Sequence, residues 1–256
     1  MNNLVKAASL LLCLLLWHWA VQWRLDLGFI RFAFVPSPAQ TLAAALELVQ
    51  SPRLAEHLLS SLQRVFSGYL LAAVSGVLLG LLIGRFAAVR CSLLPALEVL
   101  RPIPAVAWIP LAILMFPSSE GSMVFITFTG AFSPVLLAAM HGAQSTDPRL
   151  IASAKSLGAS RTAILWEVVL PSAAPAIVSG LAIGMGTCWF CLVSAEMMSG
   201  QFGIGYYTWE AYSIQRYPDI VVGMLLIGLL GLLSSALVRA LGALLTPWQR
   251  AQGVRS

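Results

Sequence analysis

Charge is scarce in this chain. Asp, Glu, Lys and Arg make up 10% of its 256 residues, against 59% that are hydrophobic. With a mean hydropathy of +0.87, that balance excludes a soluble globular domain of this size. Lysine is rarer still, occurring only as Lys6 and Lys155. A phosphate-binding loop needs closely spaced glycines for backbone approach to phosphate, then a lysine and a hydroxyl. Ser156 follows Lys155, but no glycine stands in the ten residues before it, so the chain is not expected to bind ATP in that way.

Histidine is limited to His18, His57 and His141. The first two could pair with each other, but no H-E-x-x-H, G-x-S-x-G or clustered ligand pattern accompanies them, which excludes the zinc and serine hydrolases that those motifs mark. No catalytic residue, cofactor-binding residue or metal ligand is assigned, and the chain is read as a non-enzyme. The four cysteines, Cys13, Cys91, Cys188 and Cys191, lie in or beside apolar runs. Cys188-Trp-Phe-Cys191 has the spacing of a redox or zinc pair but lacks a second pair, and is read as two small apolar residues. Ionisable groups are also missing from the middle of the apolar runs, where a proton- or sodium-driven carrier would need them. Glu196 is the main candidate, with Glu210 and Asp219 across the following loop. A carboxylate at the bilayer centre costs about 2.5–3.5 kcal/mol, so Glu196 is expected at an interface, protonated or paired, serving either helix packing or a gate.

What the chain has is apolar length. Spanning a bilayer takes roughly 20 helical residues, and runs of that kind fall at about 4–22, 66–84, 98–116, 122–140, 174–195 and 220–240. The fold class is therefore all-α: a polytopic membrane protein with about six transmembrane helices. Pro102, Pro104, Pro110 and Pro117 fall in or beside the third run, so it is expected to be kinked or broken. The first run could be a signal peptide, but it continues through Trp17, Trp19 and Trp23 without a convincing cleavage site and reads better as an anchor. With the N-terminus inside, the cytoplasmic segments collect Lys6, then Arg85, Arg90 and Arg101, then Arg149, Lys155 and Arg161, then Arg239, Arg250 and Arg255, most of the 15 basic residues. Both termini are thus expected in the cytoplasm. The net charge of +5 reads as topology rather than as a nucleic-acid surface.

The organisation is one transmembrane domain, 1–256. It comprises an anchor helix and outer loop (1–33), external amphipathic helices (34–65), a core bundle (66–240) and a cytoplasmic tail (241–256). Gly68, Gly76, Gly80 and Gly84 mark a face of the second span for close packing, against this chain or a neighbour.

Between the fourth and fifth spans lies a mostly amphipathic stretch, 147–171. Asp147 and Pro148 suit a helix start, as N-cap and first helical residue. The helix is expected over Arg149–Leu157, stopping at Gly158, and a second one from Ser160 to about Leu170. Its apolar positions, Leu150, Ile151, Ala154 and Leu157, need a partner: either the inner leaflet, with Arg149, Lys155 and Arg161 near lipid phosphates, or a groove on a cytoplasmic protein.

Here the residues resemble a family. Ala152-Ser153-Ala154, three residues, Gly158, nine residues, then Val168-x-Leu170-Pro171 is similar to the Glu-Ala-Ala…Gly…Ile-x-Leu-Pro signature of permease subunits of binding-protein-dependent ATP-binding-cassette importers. Ser61-Leu-Gln-Arg-Val65, Leu100-Arg-Pro-Ile-Pro104 with Ala107-Trp-Ile-Pro110, and Ala195-Glu-Met197 followed by Gly203-Ile-Gly-Tyr206 resemble segments of the nitrate, sulfonate and taurine branch. The resemblance implies a prokaryotic inner-membrane importer permease whose loop 147–171 is a cytoplasmic coupling loop. It would dock on one of two cytoplasmic ATPase subunits through Arg149, Leu150, Ile151, Ala152, Ser153, Ala154, Leu157, Gly158, Ala159 and Pro171. It further implies a second permease copy as a homodimer, an external solute-binding protein, and ATP and Mg²⁺ held by the partner subunit, not this chain. Ala152 departs from the signature Glu, removing a possible charge-assisted contact. Thr127, Ser133, Met185, Thr187, Trp189 and Glu196 are candidates for the pathway or its gate, with helix packing as the rival account. A small anion is the expected cargo, a thiamine-precursor-like or other organic solute the alternative, and a stand-alone channel or carrier the rival class.

Overall fold

The computed structural model describes residues 2–26, 28, 32–199 and 201–248. Those residues are overwhelmingly helical, and none forms a strand. The helices are α1 (Asn2–Gln22), α2 (Pro38–Gln50), α3 (Arg53–Arg85), α4 (Ala87–Leu100), α5 (Ile109–Met115), α6 (Ser119–Gln144), α7 (Pro148–Ser156), the short α8 (Arg161–Ala163), α9 (Leu170–Ser199), α10 (Ile204–Ser213) and α11 (Tyr217–Leu245). Six stretches are long and apolar enough to cross a bilayer: Val5–Gln22, Phe32–Gln50, Arg53–Arg85, Ser119–Gln144, Arg161–Ser199 and Tyr217–Leu245. The pair Ala87–Leu100 and Ala105–Met115, bent by 83°, is a seventh candidate. Within Phe32–Gln50, α2 covers only 13 residues, about 20 Å of helix, short of the hydrocarbon thickness. Setting that stretch aside in favour of the bent pair leaves about six spans, as the sequence indicates.

Two boundaries differ from the sequence reading. The external amphipathic pattern before residue 65 and the span from residue 66 form one unbroken helix, α3, because no proline separates the amphipathic start from the apolar continuation. The run at 98–116 is not one helix. Pro104 opens a 3₁₀ turn at Ala105–Trp108 and Pro110 lies in the first turn of α5, positions where a missing N–H costs nothing. The break therefore falls where the prolines demand it.

The chain forms two compact units, residues 1–61 with 196–228, and residues 62–195 with 229–256. The first has a small core of Ala44, Leu48 and Val222, flanked by Leu54, Tyr207 and Leu226. Ser37 caps α2 with a reciprocal capping box to Gln40, and Trp17 donates its indole N–H to the Pro36 carbonyl at 3.1 Å. Leu10, Leu11, Leu12, Leu14, Leu15 and Leu16 of α1 are exposed, as suits a helix solvated by lipid.

The second unit fixes helix directions through its glycines. Side-chain-sized space is missing at Gly68, Gly76, Gly80 and Gly84, which abut Thr127, Val135, Ala139 and Ala143 in that order. The contacts advance together along both helices, so α3 and α6 run parallel and the glycine face is satisfied within the chain. The bent segment between them must then return the chain to the far end. Gly142, Gly180 and Gly184 bring α9 against α6 in the opposite sense, and Gly242 brings α11 against Val178 of α9. The start of α4, the segment 145–169 and the end of α11 therefore share one end of this unit, together with Arg85, Arg90, Arg149, Lys155, Arg161 and Arg239. At the other end the buried Arg64 forms a bidentate pair with Glu120, with Nε–H donating to Oε2 at 2.8 Å.

Candidate functional site

The segment 147–171 forms a rigid elbow. The Asp147 carboxylate accepts from the Arg149 N–H at 2.8 Å, and Pro148 occupies the first turn. At the other end Gly158 takes φ +81°. Its N–H bonds the Lys155 carbonyl, and the Ala159 N–H bonds the Ala154 carbonyl, both at 3.0 Å, the pairing of a left-handed helix stop. Two residues on, Ser160 caps the next helix by accepting from the Ala163 N–H at 3.1 Å.

That next helix does not stop at Leu170. It passes through a π turn, Ile164–Val169, into α9. Pro171 has no N–H to offer the regular ladder, and the wider turn lies directly before it, closed by Leu170 N–H to Leu165 O. Pro171 thus sits within the continuous helix, in the first turn of α9.

The expected apolar face of the elbow is divided. Ile151, Ala154 and Ala159 pack on this chain's own core of Leu81, Ala139, Ile164, Val169 and Ala173. Leu150 is 54% exposed and Leu157 88% exposed; Arg149, Ala152, Ser153 and Lys155 are exposed as well. One side anchors the elbow, and the other presents two leucines ringed by positive charge. The α-helical period sets a stripe but not which part of it faces inward.

The candidate pathway residues scatter. Ser133 and Thr187 line a cavity of about 500 Å³ walled by Trp108, Phe125, Phe128, Phe132 and Phe190, with Glu98, Arg101, Thr129 and Cys191 also on its surface. Thr127 is fully buried, its hydroxyl donating to the Met123 carbonyl at 2.6 Å. Met185 and Trp189 are core residues, and the Trp189 indole N–H donates to Ser234 Oγ at 2.8 Å. All three side chains are thus held in packing within the unit. Sequence reasoning did not single out Glu98 for the cavity, and it read Cys191, with Cys188, only as a small apolar residue.

Glu196 is fully buried in the other unit. Its Oε1 accepts from the Ser61 hydroxyl at 2.8 Å and its Oε2 from the Gly205 N–H at 2.9 Å. Ser61 Oγ in turn accepts from the Ile204 N–H at 2.9 Å, and His57 Nδ1 accepts from the Gly203 N–H at 3.1 Å. The N-cap position of α10 is Gly203, which has no side chain to cap with, so Glu196 and Ser61 supply the acceptors from elsewhere in the chain. Gly203 is required there: its φ is +147°, and a Cβ would fall on the Glu196 carboxylate. Residues from Ser61–Val65, Ala195–Met197 and Gly203–Tyr206, three segments similar to the same branch, meet in this one knot. Nearby, burial pushes the Tyr207 phenol well above its ordinary range, reinforced by Asp219, which accepts its hydrogen bond. Arg216 bonds both Asp219, at 2.6 Å, and Glu47, at 3.0 Å.

Apolar helices long enough to cross a bilayer, with a basic elbow at one end of the second unit, define a polytopic membrane protein. The chain belongs to the family described as binding-protein-dependent transport system inner membrane component, which residues 76–251 match. It is 34% identical over 249 residues to the taurine transport system permease protein TauC of Escherichia coli K12, covering 95% of this chain and 89% of that one. It is 33% identical over 222 residues to the nitrate import permease protein NrtB of a Synechocystis species, covering 83% and 81%. A protein of Methanocaldococcus jannaschii named as an ABC transporter permease is 41% identical over 180 residues, covering 70% and 67%. The chain is accordingly a multi-pass inner-membrane transport permease, and its family is that of a transport subunit rather than a catalytic one.

Proposed function

We propose that this chain forms part of the translocation pathway of an ATP-driven importer for a small anion, of the nitrate, sulfonate or taurine kind. An external binding protein delivers the solute, and the elbow is gripped by a cytoplasmic ATPase. The names of the taurine and nitrate relatives support the cargo class. So does the cavity, where Arg101 and the hydroxyl of Ser133 offer donors among aromatic walls.

The observation that carries the docking role is the exposure of Leu157 on a backbone fixed at both ends. An exposed leucine is ordinary alone, but one held on a capped elbow beside Leu150 is suited to insertion in a groove. The basic end of the bundle lies in the cytoplasm, and with it both termini. Two copies of the permease face two ATPase subunits, each holding its own ATP and Mg²⁺. Closure of the ATPase pair draws the elbows together, and Ile151, Ala154 and Ala159 carry that displacement into α6 and α9. A drive shifts a conformational equilibrium only through contacts that differ between the states, so the grip on Leu150 and Leu157 must change during the cycle.

Leu157→Glu and Leu150→Glu supply the test. Neither side chain contributes to the core, so thermal stability should stay within about 0.5 kcal/mol of the parent, while transport-coupled ATP hydrolysis in proteoliposomes falls about tenfold or more, as loss of a buried apolar anchor implies. Full coupling in both variants would refute the docking role.

A further inference from the structure

At the end of the second unit that carries the elbow, α9 and α11 diverge to leave an open groove of about 660 Å³. Pro175, Ala182 and Ile183 form one wall, and Arg239, Ala243 and Thr246 the other. Beneath it the helices touch, since a Cβ on Gly242 would collide with Val178. The hydroxyl protons at the groove are already used by backbone: Ser179 donates to the Pro175 carbonyl at 3.1 Å and Thr246 to the Gly242 carbonyl at 3.0 Å. Arg239 is the exception. It is the only charged residue between Asp219 and Arg250 in an otherwise apolar stretch, its side chain is exposed, and no acidic residue lines the groove with it. It stands six residues before the end of α11 at Leu245, about 9 Å along the helix, within the depth that phosphodiester headgroups and the first acyl carbons occupy.

A lone guanidinium at the mouth of a greasy slot complements an anionic lipid: its five N–H donors suit a phosphate, and the wall of Pro175, Val178, Ile183 and alanines suits a hydrocarbon chain. We infer that this groove is a site for an anionic phospholipid of the inner leaflet, its phosphate on Arg239 and one acyl chain along α9. The inference rests on the orientation proposed above, with this end of the bundle cytoplasmic.

The site is tested by native mass spectrometry of the purified full-length chain, offered phosphatidylglycerol or phosphatidylcholine of identical acyl chains. The wild type is expected to retain phosphatidylglycerol about fivefold better, the effect of one basic residue at a membrane surface. Arg239→Gln should abolish the preference, and removing a charge from an apolar helix does not threaten insertion; Arg239→Lys should keep part of it. Ala182→Phe, which fills the slot and leaves Arg239 in place, should lose the bound lipid. Equal preference in wild type and Arg239→Gln would overturn the proposal, as would displacement of the lipid by millimolar inorganic phosphate. A change of oligomeric state in Ala182→Phe with lipid retention unaltered would also overturn it, assigning the groove to a second copy. Orientation is read independently, by whether Ala87→Cys, at the exposed start of α4 on the same end of the unit, reacts in intact cells only with membrane-permeant maleimides; labelling from outside would sink the orientation without touching the lipid measurement.

Discussion

Replacing Gly158 by valine is expected to cut transport and transport-coupled ATP hydrolysis about tenfold or more, with normal insertion in the membrane. The reason is backbone conformation, not size. Gly158 has φ +81°, and nothing lies within 4 Å of where a Cβ would stand, so a side chain meets open space. A β-carbon in the left-handed region costs about 1–2 kcal/mol, most for branched residues, and a penalty of 1.4 kcal/mol is already tenfold in population. The chain stop that sets the angle between α7 and Ser160 would be lost, and Leu157 would leave the position from which it docks. A graded series follows: asparagine, which tolerates this conformation, close to the parent; alanine intermediate; valine worst. ATPase rates of the reconstituted importer check the order. Equal loss in asparagine and valine variants would point to a requirement for the small side chain itself.

The largest effect on stability is expected at Glu196. Truncation to alanine strips acceptors from the Ser61 hydroxyl and the Gly205 N–H, both inside the protein, and removes negative charge from the start of α10. Each orphaned buried donor costs about 1–3 kcal/mol, so Glu196→Ala should lose several kcal/mol and leave little folded protein in detergent. Glu196→Gln keeps the shape and one acceptor oxygen, and should lose roughly half as much. Thermal unfolding of the two variants, followed by tryptophan fluorescence or by retention of a monodisperse peak, gives the ranking. If Glu196→Ala were as stable as the parent while transport ceased, the residue would be a gate rather than a cap.

Features whose physics is local were legible in the sequence. Asp147-Pro148, Gly158 and Ser160 announce the ends of the elbow because capping depends on a few neighbouring residues, and each end forms where those residues put it. The cluster of prolines between Pro102 and Pro110 signals a break for the same reason, though the 83° bend is set by packing and has no local signature. Helix continuity was harder to read. In α3 the switch from an amphipathic to a wholly apolar pattern looks like a boundary, yet it marks only a change of surroundings along one helix.

Long-range pairing was not legible. Ser61 and Glu196 lie in segments similar to one branch of importers, but their hydrogen bond joins residues far apart in the chain, and no periodicity relates them. Arg64 and Glu120 lie 56 residues apart in the chain, and only the packing of α3 on α6 makes them a pair. The same limit explains the pathway candidates. Hydroxyls and aromatic groups on a membrane helix can face a cavity, as Ser133 does, satisfy their own helix, as Thr127 does, or do both, as Thr187 does. The residue type is the same in each case.

The central claim is that an ATPase holds the exposed leucines of the elbow, and a photo-crosslinker can ask this directly. With p-benzoylphenylalanine at position 157, at 150, or at the lipid-facing position 232 as control, the assembled importer is irradiated with and without nucleotide. The account predicts crosslinks from 157 and 150 to the ATPase subunit, with a yield that changes when nucleotide binds, and none from 232. Crosslinks from 157 and 150 to lipid alone, in both nucleotide states, would contradict it.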